Sequence, residues 1–281
     1  MRPFRWDITR REQLGRLAGG ERAESYPEFE ADLREAAARC VAAAGDSDLV
    51  FVGRSPESLF DYLSGVLLDT SWAGRLSLVN LSLRGSTMEE MRADPARRAA
   101  FREHLAQLNL DPPTLYLRER PAALIDLVAS GSTFGSLTEL LLDWACEEGI
   151  ELDGLRRKLR YVGVTWRTKT SPNTWRWHQS ARWLGRHRSS VQNVSIPGRL
   201  WDFLGNRQDK VARWHPPWRW DDGQAGTPPR EAEHLAALRQ AVAVFARGCD
   251  REDREGFVSV LVQQHRFREA WCRALVQELR R

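Results

Sequence analysis

Short apolar runs alternate along this chain with longer segments in which apolar residues recur every three or four positions. The apolar runs occupy residues 48–52, 76–81, 123–128 and 159–166. Runs of this kind predict buried strands, and the longer spacing predicts amphipathic helices. Because strands and helices alternate, the sequence predicts an α/β fold with a mostly parallel, doubly wound sheet.

Helical spacing covers much of the remaining chain. It predicts helices over residues 10–40, 59–67, 87–109, 133–148, 230–247 and 251–280. Asp111-Pro112-Pro113 is expected to end the third of these helices, because proline lacks the amide hydrogen that a helix interior requires. Residues 114–117, Thr-Leu-Tyr-Leu, are interpreted as a further short strand.

These elements divide the chain into four predicted regions. They are an N-terminal helical extension over 1–44, an α/β core over 45–166, a basic tryptophan-rich region over 167–229, and C-terminal helices over 230–281. The third region differs from the others in composition. Between Arg167 and Arg219 there are eleven basic side chains, two acidic ones and six of the twelve tryptophans.

The overall composition is that of an ordinary globular protein, with 42% hydrophobic and 28% charged residues. No apolar run approaches the ~20 residues that a membrane span requires. The first residues also lack the apolar centre of a signal peptide, so we expect a cytoplasmic protein that does not contact membranes. The four cysteines and six histidines are widely spaced, which argues against zinc, and the absence of GxxxxGK[ST] excludes a P-loop NTPase.

Three turns follow predicted strands and are expected at one edge of the sheet. They comprise residues 53–55, 82–87 and 129–133. In a doubly wound sheet, ligands bind in the crevice beyond the carboxyl ends of the strands. Side chains from these turns are therefore candidates for a binding site.

The turn over 129–133 reads Ala-Ser-Gly-Ser-Thr and opens a predicted helix. The first amides of a helix have no acceptor within it, and the helix dipole places partial positive charge there. With the hydroxyls of Ser130, Ser132 and Thr133, this turn favours a phosphate. Asp126, just before the turn, could accept hydrogen bonds from sugar hydroxyls, which indicates a ribose 5-phosphate. The alternative is a tight connection whose serines and glycine only satisfy turn geometry and capping.

Residues 125–133, Ile-Asp-Leu-Val-Ala-Ser-Gly-Ser-Thr, resemble the phosphoribosyl-pyrophosphate signature of type I phosphoribosyltransferases. In that family a strand ends in two acidic residues, followed by two apolar residues and a Thr-Thr-Gly-Gly-Thr-like loop. Asp126 matches the second acidic position, whereas Ile125 replaces the first. The phosphate loop is matched by Ala129, Ser130, Gly131, Ser132 and Thr133. The chain therefore looks like a divergent member of the family, and the resemblance covers about residues 45–166.

Two further turns support the resemblance. Gly53, Arg54 and Ser55 follow the first strand, where the family places a glycine-rich turn with a basic residue against pyrophosphate. Arg84 follows the second strand, from which the family also contacts pyrophosphate. The alternative for each arginine is a solvated surface cation.

The resemblance implies an enzyme of nucleotide metabolism, a pentosyltransferase that moves ribose 5-phosphate from phosphoribosyl pyrophosphate to a small-molecule acceptor and releases pyrophosphate. It also implies that Mg²⁺ is held through pyrophosphate and ribose oxygens, without a set of direct protein ligands. No catalytic acid or base is assigned. Trp175, Trp177 and His178 are candidates for binding the acceptor, because tryptophan stacks on planar rings.

Two other functions match parts of the sequence. The basic, aromatic segment suits nucleic acid, so the main alternative is a nucleic-acid-binding or regulatory protein on an inactive phosphoribosyltransferase-like core. This alternative is not favoured, because only three of the 42 basic residues are lysines, a bias that GC-rich coding alone produces. The segment around Asp126 also loosely resembles the glycine motif of methyltransferases, but the next strand lacks their acidic end. The sequence does not distinguish a monomer from a dimer.

Overall fold

A computed structural model of the chain describes residues 5–81, 83, 88–168, 175–214 and 227–281. Its centre is a five-stranded sheet formed by β1 (Asp48–Val52), β2 (Leu76–Val79), β3 (Ala122–Leu127), β4 (Leu159–Trp166) and β5 (Val191–Ile196). The strand order is β2-β1-β3-β4-β5, and every neighbouring pair is parallel. The predicted α/β class and parallel sheet are confirmed, and β5 is a strand that the sequence patterns did not predict.

Successive residues of the strands are buried in two different cores. One core lies on one face of the sheet and receives strand residues Leu49, Phe51, Ala123, Ile125, Val162, Val164, Val194 and Ile196. The other face contributes Val50, Val52, Val79, Ala122, Leu124, Leu159 and Tyr161. Burial on both faces explains why β1 and β3 are nearly continuous apolar runs.

Helices cover both faces of the sheet, as in a doubly wound fold. Those of the described residues are α1 (Arg11–Leu14), α2 (Phe29–Ala44), α3 (Glu57–Val66), α4 (Met88–Ala93), α5 (Pro95–Gln107), α6 (Pro112–Leu117), α7 (Ser132–Glu147), α8 (Leu152–Arg157), α9 (Gly198–Asp202), α10 (Ala232–Cys249), α11 (Arg251–Val262) and α12 (Ala270–Leu279). Helices α2, α3, α11 and α12 contribute to the first core, and α5, α7 and α8 to the second. Helix α2, in the predicted N-terminal extension, thus packs directly on the sheet.

The short strand predicted at residues 114–117 is wrong, because these residues belong to α6. The carboxylate of Asp111 accepts a hydrogen bond from the amide of Thr114 at 3.0 Å and caps the helix. Pro112 and Pro113 occupy the first two helical positions, whose amide hydrogens a helix does not use. Asp-Pro-Pro therefore begins a helix here in addition to ending the previous one.

Three of the predicted long helices are divided. Gly19, Gly20 and Pro27 separate α1 from α2, and a 3₁₀ turn at His265–Arg268 separates α11 from α12. Between α4 and α5, Asp94 caps α5 through the amides of Ala96 and Arg97. Residue pairs such as Asp-Pro start new helices inside a stretch whose apolar spacing alone appears continuous.

The strand order places a crevice between the carboxyl ends of β1 and β3. The chain passes from β1 to β2 on one side and then crosses to β3 on the other. The segments that follow β1 and β3 diverge at this point, which is where ligands bind in open parallel sheets. Within the described residues, no helix is both long enough and apolar enough to cross a membrane.

Candidate functional site

A cavity of about 400 Å³ opens at the carboxyl ends of β1 and β3. Its lining includes Gly53, Arg54, Ser55, Asp126, Ala129, Ser130, Gly131, Ser132, Thr133, Trp201, Gly205, Asn206, Lys210 and Trp214. The turn after β1, the turn after β3 and Asp126 were each singled out from sequence, and the fold brings them together. Arg84 lies outside the described residues.

The turn after β3 leads directly into helix α7. Gly131 precedes the helix with a φ of +80°, a left-handed conformation that favours glycine. The hydroxyl of Ser130 contacts that of Ser132 at 3.2 Å and accepts a longer bond from the Ser132 amide at 3.4 Å. Ser130 and Ser132 are exposed at the cavity. The first amides of α7 and two hydroxyl groups are therefore available to an anionic ligand.

Gly131 is also required for packing. A β-carbon at this position would collide with the indole ring of Trp177, which lies beneath the turn. Trp177 is 1% exposed and packs against Phe134 and Trp183. The turn therefore rests on a rigid aromatic base, which holds its amides in place.

Asp126 lies at the floor of the cavity and is only 7% exposed. Burial raises the pKa of its carboxyl group well above the usual value, although hydrogen bonds from the backbone of Leu127 and the hydroxyl of Thr133 act in the opposite direction. Burial disfavours the ionised form because the carboxylate loses its hydration. A protonated carboxyl group can donate one hydrogen bond and accept others, which suits the hydroxyls of a sugar.

Two basic side chains line the cavity on the side of β1. Arg54 donates from Nη1 to the carbonyl oxygen of Ala212 at 3.3 Å, and its burial lowers the pKa of the guanidinium. Lys210 donates from Nζ to the carbonyl oxygen of Leu204 at 2.6 Å and to Oε1 of Gln208 at 3.1 Å. Burial lowers the pKa of Lys210 to about 8.

Sequence reasoning did not identify Lys210, Trp201 or Trp214 as residues of the site. Lys210 follows a π-helical turn, Phe203–Arg207, whose Gly205 and Asn206 also line the cavity. Such turns often occur at functional sites, but no spacing in the sequence indicated this one. The rarity of lysine among the basic residues was the one available signal for Lys210.

The three candidates for acceptor binding lie beside the cavity and are not part of its lining. Trp177 is buried under the turn, and its indole nitrogen donates to Oδ1 of Asn193 at 2.9 Å. Nδ1 of His178 lies 3.2 Å from the amide nitrogen of Asn193. Trp175 is 43% exposed, and its indole donates a hydrogen bond to the carbonyl oxygen of Ala129. Trp175 thus supports the phosphate turn from outside.

The lining offers one carboxyl group, that of Asp126, among the described residues. No group of three or more metal-binding side chains occurs in this part of the chain. These residues fit a magnesium ion that is held mainly by oxygens of a ligand, because a single carboxyl group is too few to hold the ion by itself. They do not fit a cage built by the protein.

No family model, curated protein or solved structure matches this chain. The function is therefore inferred from the geometry and chemistry of the cavity.

Proposed function

We propose that this cavity binds a phosphorylated ribose, and that the protein is a phosphoribosyltransferase-like enzyme that uses phosphoribosyl pyrophosphate and an acceptor. The observation that carries the proposal is that one cavity is lined by the amides and hydroxyls of the 129–133 turn and by the carboxyl group of Asp126. A phosphate group and sugar hydroxyls are the ligand chemistry that these two features recognise together.

In the proposed complex, the 5-phosphate lies on the first amides of α7 and on the hydroxyls of Ser130 and Ser132. The hydroxyl of Thr133 interacts with the carboxyl group of Asp126, so its main role is to orient that carboxyl group towards the ribose. Asp126 forms hydrogen bonds with the ribose hydroxyls and holds C1 near the mouth of the cavity. Positioning of this kind supplies much of the rate enhancement when two substrates react.

In the proposed reaction, the bond between C1 and the pyrophosphate oxygen breaks, and its electron pair leaves with pyrophosphate. The nucleophilic atom of the acceptor forms the new bond to C1 and loses its proton to solvent or to a base that we do not assign. Gly53, Arg54 and Ser55 bind the departing pyrophosphate, whose growing negative charge the guanidinium stabilises. Arg84 is proposed for the same role from the sequence resemblance. When bound, Mg²⁺ would neutralise charge on pyrophosphate through the ligand's own oxygens.

The nucleic-acid alternative receives less support from the contacts of the basic region. Arg199 lies 2.7 Å from Asp32, Arg207 lies 2.7 Å from Asp202, and Arg213 forms an ion pair with Glu231. These side chains are engaged within the protein, so fewer cations are available for phosphates than the composition implied. If the alternative held, retention on DNA or RNA would fall steeply with salt concentration.

Calorimetric titration with phosphoribosyl pyrophosphate and Mg²⁺ tests the proposal. We expect saturable binding by the wild-type protein and weakening by about tenfold or more in Asp126→Ala, which loses hydrogen bonds to the ribose, and in Thr133→Ala, which loses the group that orients Asp126. Asp143→Ala, a half-exposed substitution on the same helix α7 whose carboxylate pairs with Arg92 and does not line the cavity, is the matched control and should leave affinity unchanged. Binding that is indifferent to the first two substitutions would refute the proposal.

A further inference from the structure

Lys210 is one of three lysines in the chain and lines the cavity described above. Lys158 is engaged elsewhere, since its Nζ donates to the carbonyl oxygen of Arg118 at 2.6 Å. Lys169 lies outside the described residues. Lys210 therefore lines the cavity, whereas Lys158 does not and can serve as a control.

The segment around Lys210 is fixed against the start of helix α3, which follows the turn after β1. The amide of Val211 donates to Oε2 of Glu57 at 3.1 Å, and Nε2 of Gln208 donates to the hydroxyl of Ser58 at 2.8 Å. The carbonyl oxygen of Lys210 lies 2.7 Å from Nδ1 of His234 on helix α10. These contacts place Lys210 on the β1 side of the cavity, where Arg54 also lies.

Among the described residues, the charged groups that interact around Lys210 leave positive charge in excess. Five charged groups interact there: the cations Arg5, Arg54 and Lys210 and the carboxyl groups of Glu57 and Asp61. Arg5 is engaged by Asp61, with Nη2 at 2.7 and 2.5 Å from its two oxygens. Glu57 lies 3.9 Å from Nε of Arg5. It also interacts with Arg54 and Lys210, so its charge is divided among three cations. A largely buried cation without a full partner is costly, and an anionic ligand is the natural way to compensate it.

We propose that Lys210 is an anion-binding residue of the cavity, and that with Arg54 it binds a second anionic group of the ligand, separate from the group held by the 129–133 turn. The ligand therefore carries two anionic groups. This inference rests on the proposed function, in which the second group is the pyrophosphate, but it can be tested without any turnover.

Binding of that anion changes the protonation of Lys210. The pKa of the free amine is lowered to about 8 by burial, with Arg54 and Arg5 acting in the same direction and Glu57 and Asp61 opposing them. A bound anion favours the ammonium form and raises this pKa. Binding of inorganic pyrophosphate should therefore take up protons in mildly alkaline solution, where the free amine is largely neutral, and little at mildly acidic pH, where it is already protonated.

Labelling with pyridoxal 5′-phosphate provides the direct test. The amine of a lysine condenses with the aldehyde to form an imine and water, and borohydride then supplies a hydride that converts the imine to a stable secondary amine. Peptide mapping by mass spectrometry locates the label. We expect preferential labelling of Lys210, protection by inorganic pyrophosphate that exceeds protection by inorganic phosphate, and no protection at Lys158.

A variant pair extends the test. Lys210→Met should weaken pyrophosphate binding by about tenfold, the loss expected for one charge-assisted contact, and should abolish proton uptake measured in two buffers of different ionisation enthalpy. Lys158→Met is the control and should change neither. If Lys210→Met does not fold, labelling of the wild-type protein still shows whether pyrophosphate binds at Lys210.

Two sets of results would overturn the inference. In the first, Lys210 is not labelled, or pyrophosphate does not protect it from labelling. In the second, a folded Lys210→Met variant binds pyrophosphate with unchanged affinity and unchanged proton uptake. Pyrophosphate protection of Lys210 without binding of phosphoribosyl pyrophosphate would uphold the inference and contradict the proposed function. Binding of phosphoribosyl pyrophosphate that depends on Asp126 but leaves Lys210 unprotected would support the proposed function and contradict the inference about Lys210.

Discussion

The hydroxyl of Thr133, in the first turn of helix α7, interacts with the carboxyl group of Asp126 at the end of strand β3 and opposes the rise in its pKa that burial causes. This interaction connects the element that presents amides to the cavity with the one acidic side chain that the described residues contribute to the lining. A substitution at either residue should therefore disturb both parts of the proposed site.

The buried carboxyl group of Asp126 should make stability depend on pH. Its pKa is raised in the folded protein, so the protonated form is favoured by folding and its contribution to stability is lost as pH rises through the folded value. We expect Asp126→Asn, which does not ionise, to gain stability relative to the wild-type protein as pH rises from acidic to alkaline. Urea unfolding across this range measures the difference, and a difference that is constant with pH would contradict the assignment.

The conformation and packing of Gly131 should make this residue intolerant of a side chain. In Gly131→Ala, the strain of φ +80° and the collision with Trp177 together should cost about 3 kcal/mol of unfolding free energy. Gly149→Ala is the matched control, because its φ is +68° but nothing lies within 4 Å of the added carbon. It should cost about 1 kcal/mol, and equal losses measured by thermal unfolding would show that Trp177 does not constrain the turn.

Arg5 should stabilise the two buried carboxyl groups of helix α3, Glu57 and Asp61. Removing it in Arg5→Met takes away the cation that contacts Asp61 directly and one of the three cations that interact with Glu57, which should cost about 3–5 kcal/mol. The pKa of Asp61 is raised to about 7 by burial, and Arg5 holds it below the value that burial alone would produce. Because the uncompensated carboxylate forms as pH rises, the loss should be larger above neutrality than in mildly acidic solution.

Arg10→Met is the control for that experiment, since Arg10 pairs with Asp7 at 3.6 Å on the exposed surface. Chemical denaturation at several pH values should show a small, nearly constant effect for this variant. The role assigned to Arg5 would be wrong if the two variants behaved alike.

Trp175 should support ligand binding without contributing much to stability. Trp175→Phe retains an aromatic ring against Trp166, whose ring centroid lies 5.6 Å away, but removes the donor to the carbonyl oxygen of Ala129. We expect phosphoribosyl pyrophosphate to bind several-fold more weakly, in line with about 1 kcal/mol for one hydrogen bond, while the melting temperature changes little. An unchanged affinity would remove Trp175 from the description of the site.

The parts of the fold that could be predicted from the sequence are those in which local pattern and burial coincide. Strands β1 and β4 have the predicted bounds because each is mostly apolar and contributes buried residues to both faces of the sheet. Strand β5 was missed because Gln192 and Asn193 interrupt its apolar residues. Helix α6 was missed because Asp111-Pro112 begins a helix with the same residues that can end one.

The residues of the candidate site also fall into two groups, those that the sequence predicted and those that it did not. Asp126, residues 129–133 and residues 53–55 follow strands directly, so knowledge of a parallel sheet was sufficient to expect them at one edge. Lys210 and Trp214 reach the cavity only because the segment around Gln208 docks on Ser58, a tertiary contact between residues 150 positions apart. No local pattern encodes such a contact. The acceptor region stays a prediction, since Trp175 and Trp177 lie beside the cavity and not in its lining.

A crystal structure of the complex with phosphoribosyl pyrophosphate is the decisive measurement for the proposed ribose-phosphate site. We predict the 5-phosphate within hydrogen-bonding distance of the Ser132 and Thr133 amides, and the ribose hydroxyls against the carboxyl group of Asp126. A phosphate bound elsewhere, or a ribose that does not contact Asp126, would refute the site.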